Sequence, residues 1–311
     1  MTMPRRNHSP PQRHKANSLY IHTTEPGCGK ALVSLGVLDL ILKKSQGNAR
    51  IGFFRPIIGK GTGPDEDTAL ILQHFGLEQT LEESFGMRTD RASELLGHHA
   101  HDEIIEEIIG KYKALEERFD FILCEGRHGS AVEFNLNVEM AKNLACPILI
   151  LGSAHDRTIP QTMESIQISI DAFGQYGADI VGIVLNKAQD NDVVDLEEEL
   201  AKRYKSRGFM FTVIPYQPVL TVPRIYDVVS CLGGQLLYGS KYVDNKVRSS
   251  ILGTMQLQNV LNWLRNDDCL VVTSGDRADI IVGALQAHCK YLPIPPLCVS
   301  CVCHTNNSPR T

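Results

Sequence analysis

The chain has 311 residues, 43% of them hydrophobic and 22% charged, and a formal net charge of -5. That length suits one large or two ordinary domains, each with a real core. The acidic balance argues against a nucleic-acid binder, which needs a basic face, and no apolar run approaches the roughly 18 residues of a membrane span.

The first 17 residues, MTMPRRNHSPPQRHKAN, are basic and free of acids. They read as a disordered tail; the alternative is an organelle-targeting segment, although no clear amphipathic helix supports it. From residue 18 short apolar strands alternate with helical stretches, the pattern of a mostly parallel sheet covered on both faces. SLYIHT (18–23) predicts a strand, and ALVSLGVLDLILKK (31–44) a helix whose two closing lysines suit a C-terminus. ARIGFFRPII (49–58) predicts the next strand, with Pro56 expected to stop it near its end. An amphipathic helix follows over 103–118, then the strand FDFILCEG (119–126), the helix FNLNVEMAKNLA (134–145) and the strand CPILILGS (146–153). A long helix over 159–174, the strand ADIVGIVLNKA (178–188), a charged helix over 192–207 and the strand FMFTVIPY (209–216) complete the series. Six strands are enough for a doubly wound α/β domain over 18–216.

PYQPVLTVP, with three prolines in nine residues, marks a junction. Beyond it RIYDVVSCLGGQLLYG, LQNVLNWLRN and CLVVTSGDRADIIVGALQAH predict a second, smaller α/β unit over 217–288. Residues 289–311 form an atypical tail holding four of the nine cysteines, and their spacing is weak evidence for zinc. The other five, Cys28, Cys124, Cys146, Cys231 and Cys269, read as buried free thiols of a reducing compartment, which points to the cytoplasm.

TTEPGCGKALVSLG (23–36) stands between the first strand and helix. It is close to G-x-x-x-x-G-K-[ST], the loop whose backbone N–H groups cradle phosphates. Gly29 and Lys30 keep their places, Thr24 replaces the first glycine, and Ala31 replaces the hydroxyl residue that would hold Mg²⁺. A helix N-terminus collects unpaired N–H groups and the positive end of the dipole, so it favours an anion. A lysine there is electrostatically disfavoured unless an anion compensates it. The expected cradle is Gly27, Cys28, Gly29, Lys30 and Ala31, with Lys30 on phosphate; the bland alternative is a glycine turn.

Ligands of open α/β sheets gather at the carboxyl ends of strands. Arg55 stands near the end of the second predicted strand, with Asp65, Glu66 and Asp67 shortly after; Glu125-Gly126 closes the third and Asn186-Lys187 a later one. Phosphate-transfer sites need acids for a metal and a cation near the transferred charge. Arg55 and Asn186 are therefore assigned to the nucleotide, and Asp67 and Glu125 to whatever metal remains. Taken singly, Asp67 is equally a helix cap, Glu125 a solvated acid and Asn186 a strand end. His98, His99 and His101 beside Asp102 invite a metal, but a surface helix start capped by Asp102 is the simpler reading.

LYIHTTEPGCGKALVSLG, IGFFRPI, FDFILCEG, FNLNVEMAKNLACPILIL and VGIVLNKA together resemble a known family. It is the P-loop NTPase-like, dethiobiotin-synthetase-like domain at the N-terminus of long-form phosphate acetyltransferases. VPRIYDVVSCLGGQLLYG and VVTSGDRADIIVGAL resemble the DRTGG domain that follows it, so the resemblance runs from Leu19 to His288. It implies ATP or another nucleotide as ligand, with Gly29, Lys30, Asp67 and Glu125 at family positions and Arg55 where a lysine is common. Ala31 offers no oxygen to Mg²⁺. The implied role is a nucleotide-binding or regulatory module, homo-oligomeric, acting on acetyl-CoA and acetyl phosphate interconversion in a larger enzyme. The domain that exchanges phosphate for coenzyme A lies beyond the DRTGG unit, and the divergence after His288 suggests a truncated, spliced or frame-shifted product. The alternatives are an ATP-dependent ligase and a purely structural oligomerisation module.

Overall fold

A computed structural model describes residues 17–60, 63–127, 131–264, 268–291 and 298–301. The basic stretch 1–16 and the last ten residues, Cys303 among them, lie outside the described residues. The chain divides into two compact units, 1–216 and 217–311. Among the described residues no helix is long and apolar enough to cross a membrane.

The first unit runs β1 (Asn17–Thr23), α1 (Lys30–Lys44), β2 (Ile51–Ile58), α2 (Glu66–Phe75), β3 (Phe85–Arg88), α3 (Thr89–Gly97) and α4 (His101–Glu116). It continues with β4 (Phe121–Glu125), α5 (Ala131–Asn143), β5 (Ile148–Ser153), α6 (Ile159–Gln175), β6 (Ile180–Ala188), α7 (Val193–Tyr204) and β7 (Met210–Pro215). The seven strands form one parallel sheet in the order β3-β2-β4-β1-β5-β6-β7. β4 and β5 flank β1, so the winding reverses beside β1 and its carboxyl end faces the crevice where such sheets take ligands.

Alternate side chains of the central strands feed two cores. Tyr20, Phe54, Ile122, Cys124 and Ile150 pack with Ile104, Ile108, Met140, Ile166 and Phe173 of α4 to α6. Ile21, Phe53, Leu123 and Leu151 pack with Val33 and Leu38 of α1 and Ile71 of α2. Both faces are therefore apolar, which explains the near-continuous hydrophobic runs of these strands.

β3 was not expected from the sequence, because FGMR is four residues long and carries no alternating pattern. Pro56 lies two residues before the end of β2, which stops at Ile58, the expected last residue. It falls beyond Phe54, the last residue paired with β4, so its missing N–H costs that ladder nothing. α4 begins at His101 with Ala100 at the cap position and no side-chain cap, so Asp102 lies inside the first turn rather than capping it. Of the five scattered cysteines four are buried, but Cys231 is exposed.

The second unit contains α8 (Ile225–Cys231), β8 (Ser249–Leu252), α9 (Leu257–Trp263), β9 (Cys269–Thr273), α10 (Ala278–Tyr291) and β10 (Cys298–Cys301). Its three strands are parallel in the order β10-β9-β8. Leu270 joins Ile225 and Val247 on one face, while Val271 joins Val260 and Ile280 on the other. α10 crosses the boundary drawn at His288, and β10 lies within the segment set apart as a tail.

Gly86 lets β3 close against β2. A Cβ there would stand 2.5 Å from the Pro56 carbonyl oxygen and 2.7 Å from an Ile108 side-chain carbon. Gly86→Ala should lower the free energy of unfolding by about 1–3 kcal/mol, as overpacking does. The loss should be read as a lower denaturant midpoint at unchanged slope; an unchanged midpoint would show that β3 can shift freely.

Candidate functional site

The loop after β1 is held from several sides. Gly27 and Gly29 have φ of +74° and +82°, a region that favours glycine. Gly29 occupies the cap position of α1, which has neither a side-chain cap nor an acid in its first turn. A Cβ on Gly29 would meet the Asn186 side-chain nitrogen at 2.4 Å. From β6, Asn186 Nδ2 donates to the Cys28 carbonyl at 2.8 Å, and Lys187 Nζ donates to the Gly27 carbonyl at 2.7 Å. Cys28 is buried and its thiol donates to the Glu25 carbonyl at 3.0 Å, while Glu25 pairs with Arg157. The backbone curl is thus fixed by side chains that point their donors at carbonyls, leaving the N–H face of α1's first turn uncapped.

The charged residues meet at the ends of β2 and β4. Lys30 opens α1; its ammonium donates to the Gly126 carbonyl at 2.9 Å and lies 3.3 Å from Glu125 Oε2. Glu125 ends β4, and its side chain is 0% exposed. Ser34, one turn along α1, donates its hydroxyl to Glu125 Oε1. Arg55 Nη2 is 3.2 Å from Glu125 Oε2 and 3.5 Å from Asp67 Oδ2, and Nη1 pairs with Asp65. Burial pushes the Lys30 ammonium below its ordinary pKa, against the pull of Glu125. Burial would also lower Arg55, but Glu125, Asp65 and Asp67 together outweigh it and hold the guanidinium charged.

The turn after β4 is locked as well. Asn137 accepts from the Tyr20 hydroxyl at 2.8 Å and from the Arg127 N–H at 3.1 Å, and donates to the Arg127 carbonyl at 2.5 Å. This network keeps the Gly126 carbonyl in reach of Lys30. Beside β2 a cavity of about 360 Å³ is lined by Ile58, Lys60, Pro64, Asp65, Asp67 and Arg88.

The expected residues therefore converge, with changed roles. Arg55 lies within β2, inside the range 49–58 expected for that strand. Asp65, not Asp67, caps α2, accepting from the Thr68 N–H at 3.0 Å and the Thr68 hydroxyl at 2.7 Å. Asp67 stays 47% exposed. The anion that compensates Lys30 at the helix start is Glu125. Asp67 and Glu125, assigned to a metal from the sequence, both contact the Arg55 guanidinium. Among the described residues no group of three acidic, histidine or cysteine side chains is arranged to hold a metal. His101 pairs with Glu139 at 2.8 Å. Ser34 was missed; its one signal was a small polar residue four positions after Lys30 inside an apolar helix face.

The AAA domain family matches residues 17–224. The chain belongs to that family. A DRTGG domain matches residues 227–309, so the AAA domain, of P-loop NTPase type, precedes a smaller DRTGG-type unit, as the resemblance implied. The chain is 39% identical over 278 residues to the phosphate acetyltransferase of Synechocystis sp., covering 88% of this chain and 40% of that protein. Against the phosphate acetyltransferase of Nitratidesulfovibrio vulgaris the identity is 36% over 284 residues, with coverages of 88% and 39%. For that of Pseudomonas putida it is 28% over 293 residues, with 90% and 41%. The chain thus spans about 40% of the length of these relatives.

Asp65 gives a test of the ion-pair cluster. Burial would raise its pKa, but Arg55 and the Thr68 donors outweigh this and hold it below the ordinary carboxylate range. A depressed carboxylate contributes stability above its unfolded value and loses it as pH falls through the folded one. Asp65→Asn keeps a residue able to cap α2 and removes only the charge. It should cost roughly 1.5–3 kcal/mol of unfolding free energy at neutral pH, and that difference should disappear as pH falls through the depressed folded pKa of Asp65. A difference that persists in acid would locate the effect outside the ion pair.

Proposed function

We propose that the chain is a nucleotide-binding regulatory module of the phosphate acetyltransferase type. The supporting observation is the AAA domain's loop: two left-handed glycines, an uncapped α1 and Lys30 at its first position, beside the winding reversal of the sheet. The N–H groups of Gly27 to Ala31 would cradle phosphate oxygens, because a helix N-terminus concentrates both donors and dipole. Lys30 would turn from the Gly126 carbonyl to a phosphate, exchanging a neutral acceptor for a charged one. Asn186 holds the cradle from behind through the Cys28 carbonyl, and Arg55 supplies a second positive charge at the same carboxylate.

Mg²⁺ does not fit these residues. Ala31 presents no oxygen, the Ser34 hydroxyl is engaged by Glu125, and the carboxylates face Arg55. For the same reason the ligase alternative is not supported: phosphoryl transfer relies on a metal to neutralise charge on the moving group. Binding without turnover is the reading that the donor set favours. Its effect would fall on the exchange of acetyl groups between coenzyme A and phosphate in the larger enzyme.

Calorimetric titration with ATP should show binding to the 311-residue chain, and Lys30→Ala should weaken it by roughly 1.5–3 kcal/mol, about ten- to a hundredfold. Equal affinities would remove the loop lysine from the site. The same preparation should form no acetyl phosphate from acetyl-CoA and phosphate; robust turnover would overturn the assignment to a regulatory role.

A further inference from the structure

Three carboxylates from β4 and the start of α2 each contact one positive centre, the place a divalent cation would have to take to neutralise them. Here the centre is the Arg55 guanidinium, which contacts Asp65, Asp67 and Glu125. Its side chain is only 10% exposed, and arginine does not lose its charge in proteins. A divalent cation drawing on the same oxygens would have to sit against this fixed positive charge or expel it. The buried charges are also already balanced: Lys30 and Arg55 face Asp65 and Glu125, while the surplus acid, Asp67, is half in water.

We infer that Arg55 is a resident cation standing in place of a divalent metal beside this loop, so that a phosphate-bearing ligand is taken up without metal. The second clause rests on the nucleotide reading above; the first does not. The arrangement explains how Lys30 can be released. A fully buried carboxylate needs a partner at all times, since an unpaired buried charge is costly. With Arg55 on Oε2 and Ser34 on Oε1, Glu125 keeps partners when Lys30 swings to a phosphate. Arg55 Nε and Glu125 Oε2 are both buried without a hydrogen-bond partner, and Glu125 Oε2 is held by its ion pairs alone.

Two measurements on the full chain test this. In the first, Mn²⁺ is titrated into nucleotide-free protein and followed by electron paramagnetic resonance. Wild type should leave the free-ion signal undiminished, and Arg55→Met, which frees the three carboxylates, should take up Mn²⁺. Uptake by wild type that Glu125→Gln abolishes, or folded Arg55→Met that takes up none, would overturn the inference. In the second, ATP affinity of wild type is compared with excess Mg²⁺ and with excess EDTA. The two should agree within about threefold, well under 1 kcal/mol, whereas binding that requires Mg²⁺ would overturn the inference. If Arg55→Met does not fold, the wild-type arms of both measurements decide. ATP binding in neither buffer would refute the nucleotide reading, and the Mn²⁺ titration would still decide the role of Arg55.

Discussion

Glu125 is the last residue of β4 and its carboxylate is removed from water, so its charge is balanced by side chains rather than by solvent. Lys30, Arg55 and Ser34 supply that balance from three directions. They come from two elements: the first residue of α1, the next turn of α1 and the interior of β2. The carboxylate therefore fixes the rotation of α1 about its axis, the depth of the Arg55 side chain and, through Asp65, the start of α2. The loop geometry follows from that arrangement. Lys30 can open a helix, where a cation is unfavourable, because a buried anion stands beneath it.

The sheet order makes this meeting possible. β4 lies between β1 and β2, so its terminal residue is flanked by the strand that precedes the loop and the strand that carries Arg55. β6 lies two strands beyond β1 on the other side, and Asn186 and Lys187 reach back to the loop carbonyls. Carbonyls are thereby used up on the protein side and N–H groups are left on the open side. That division is what an anion site requires.

Much of this was legible in the sequence, for identifiable reasons. Five inner strands announced themselves because strands buried on both faces must be apolar throughout, and the loop because positive φ and a helix start demand particular residues. Arg55, Glu125 and Asn186 stood out as polar residues in or closing such runs. β3 was not legible: four residues at a sheet edge, docked through Gly86 against Pro56 and Ile108, leave no periodic trace. The exchange of roles between Asp65 and Asp67 was hidden as well, since both stand near a helix start and only the position of Arg55 in three dimensions selects between them. An arginine in a strand gives no warning that it will be buried; the partners that permit burial lie 10, 12 and 70 residues along the chain.

The distances along the chain have a kinetic consequence. Lys30 and Gly126 are 96 residues apart, and Cys28 and Asn186 are 158 apart. Parallel pairing of β1 with both β4 and β5 requires long segments to be closed before any contact rewards them. The curl of the loop depends on β6, so a chain in which β6 is not docked lacks the Asn186 and Lys187 donors that hold the loop carbonyls. Ligand affinity at this site would consequently report on completion of the whole sheet, not on the integrity of the segment that carries the motif.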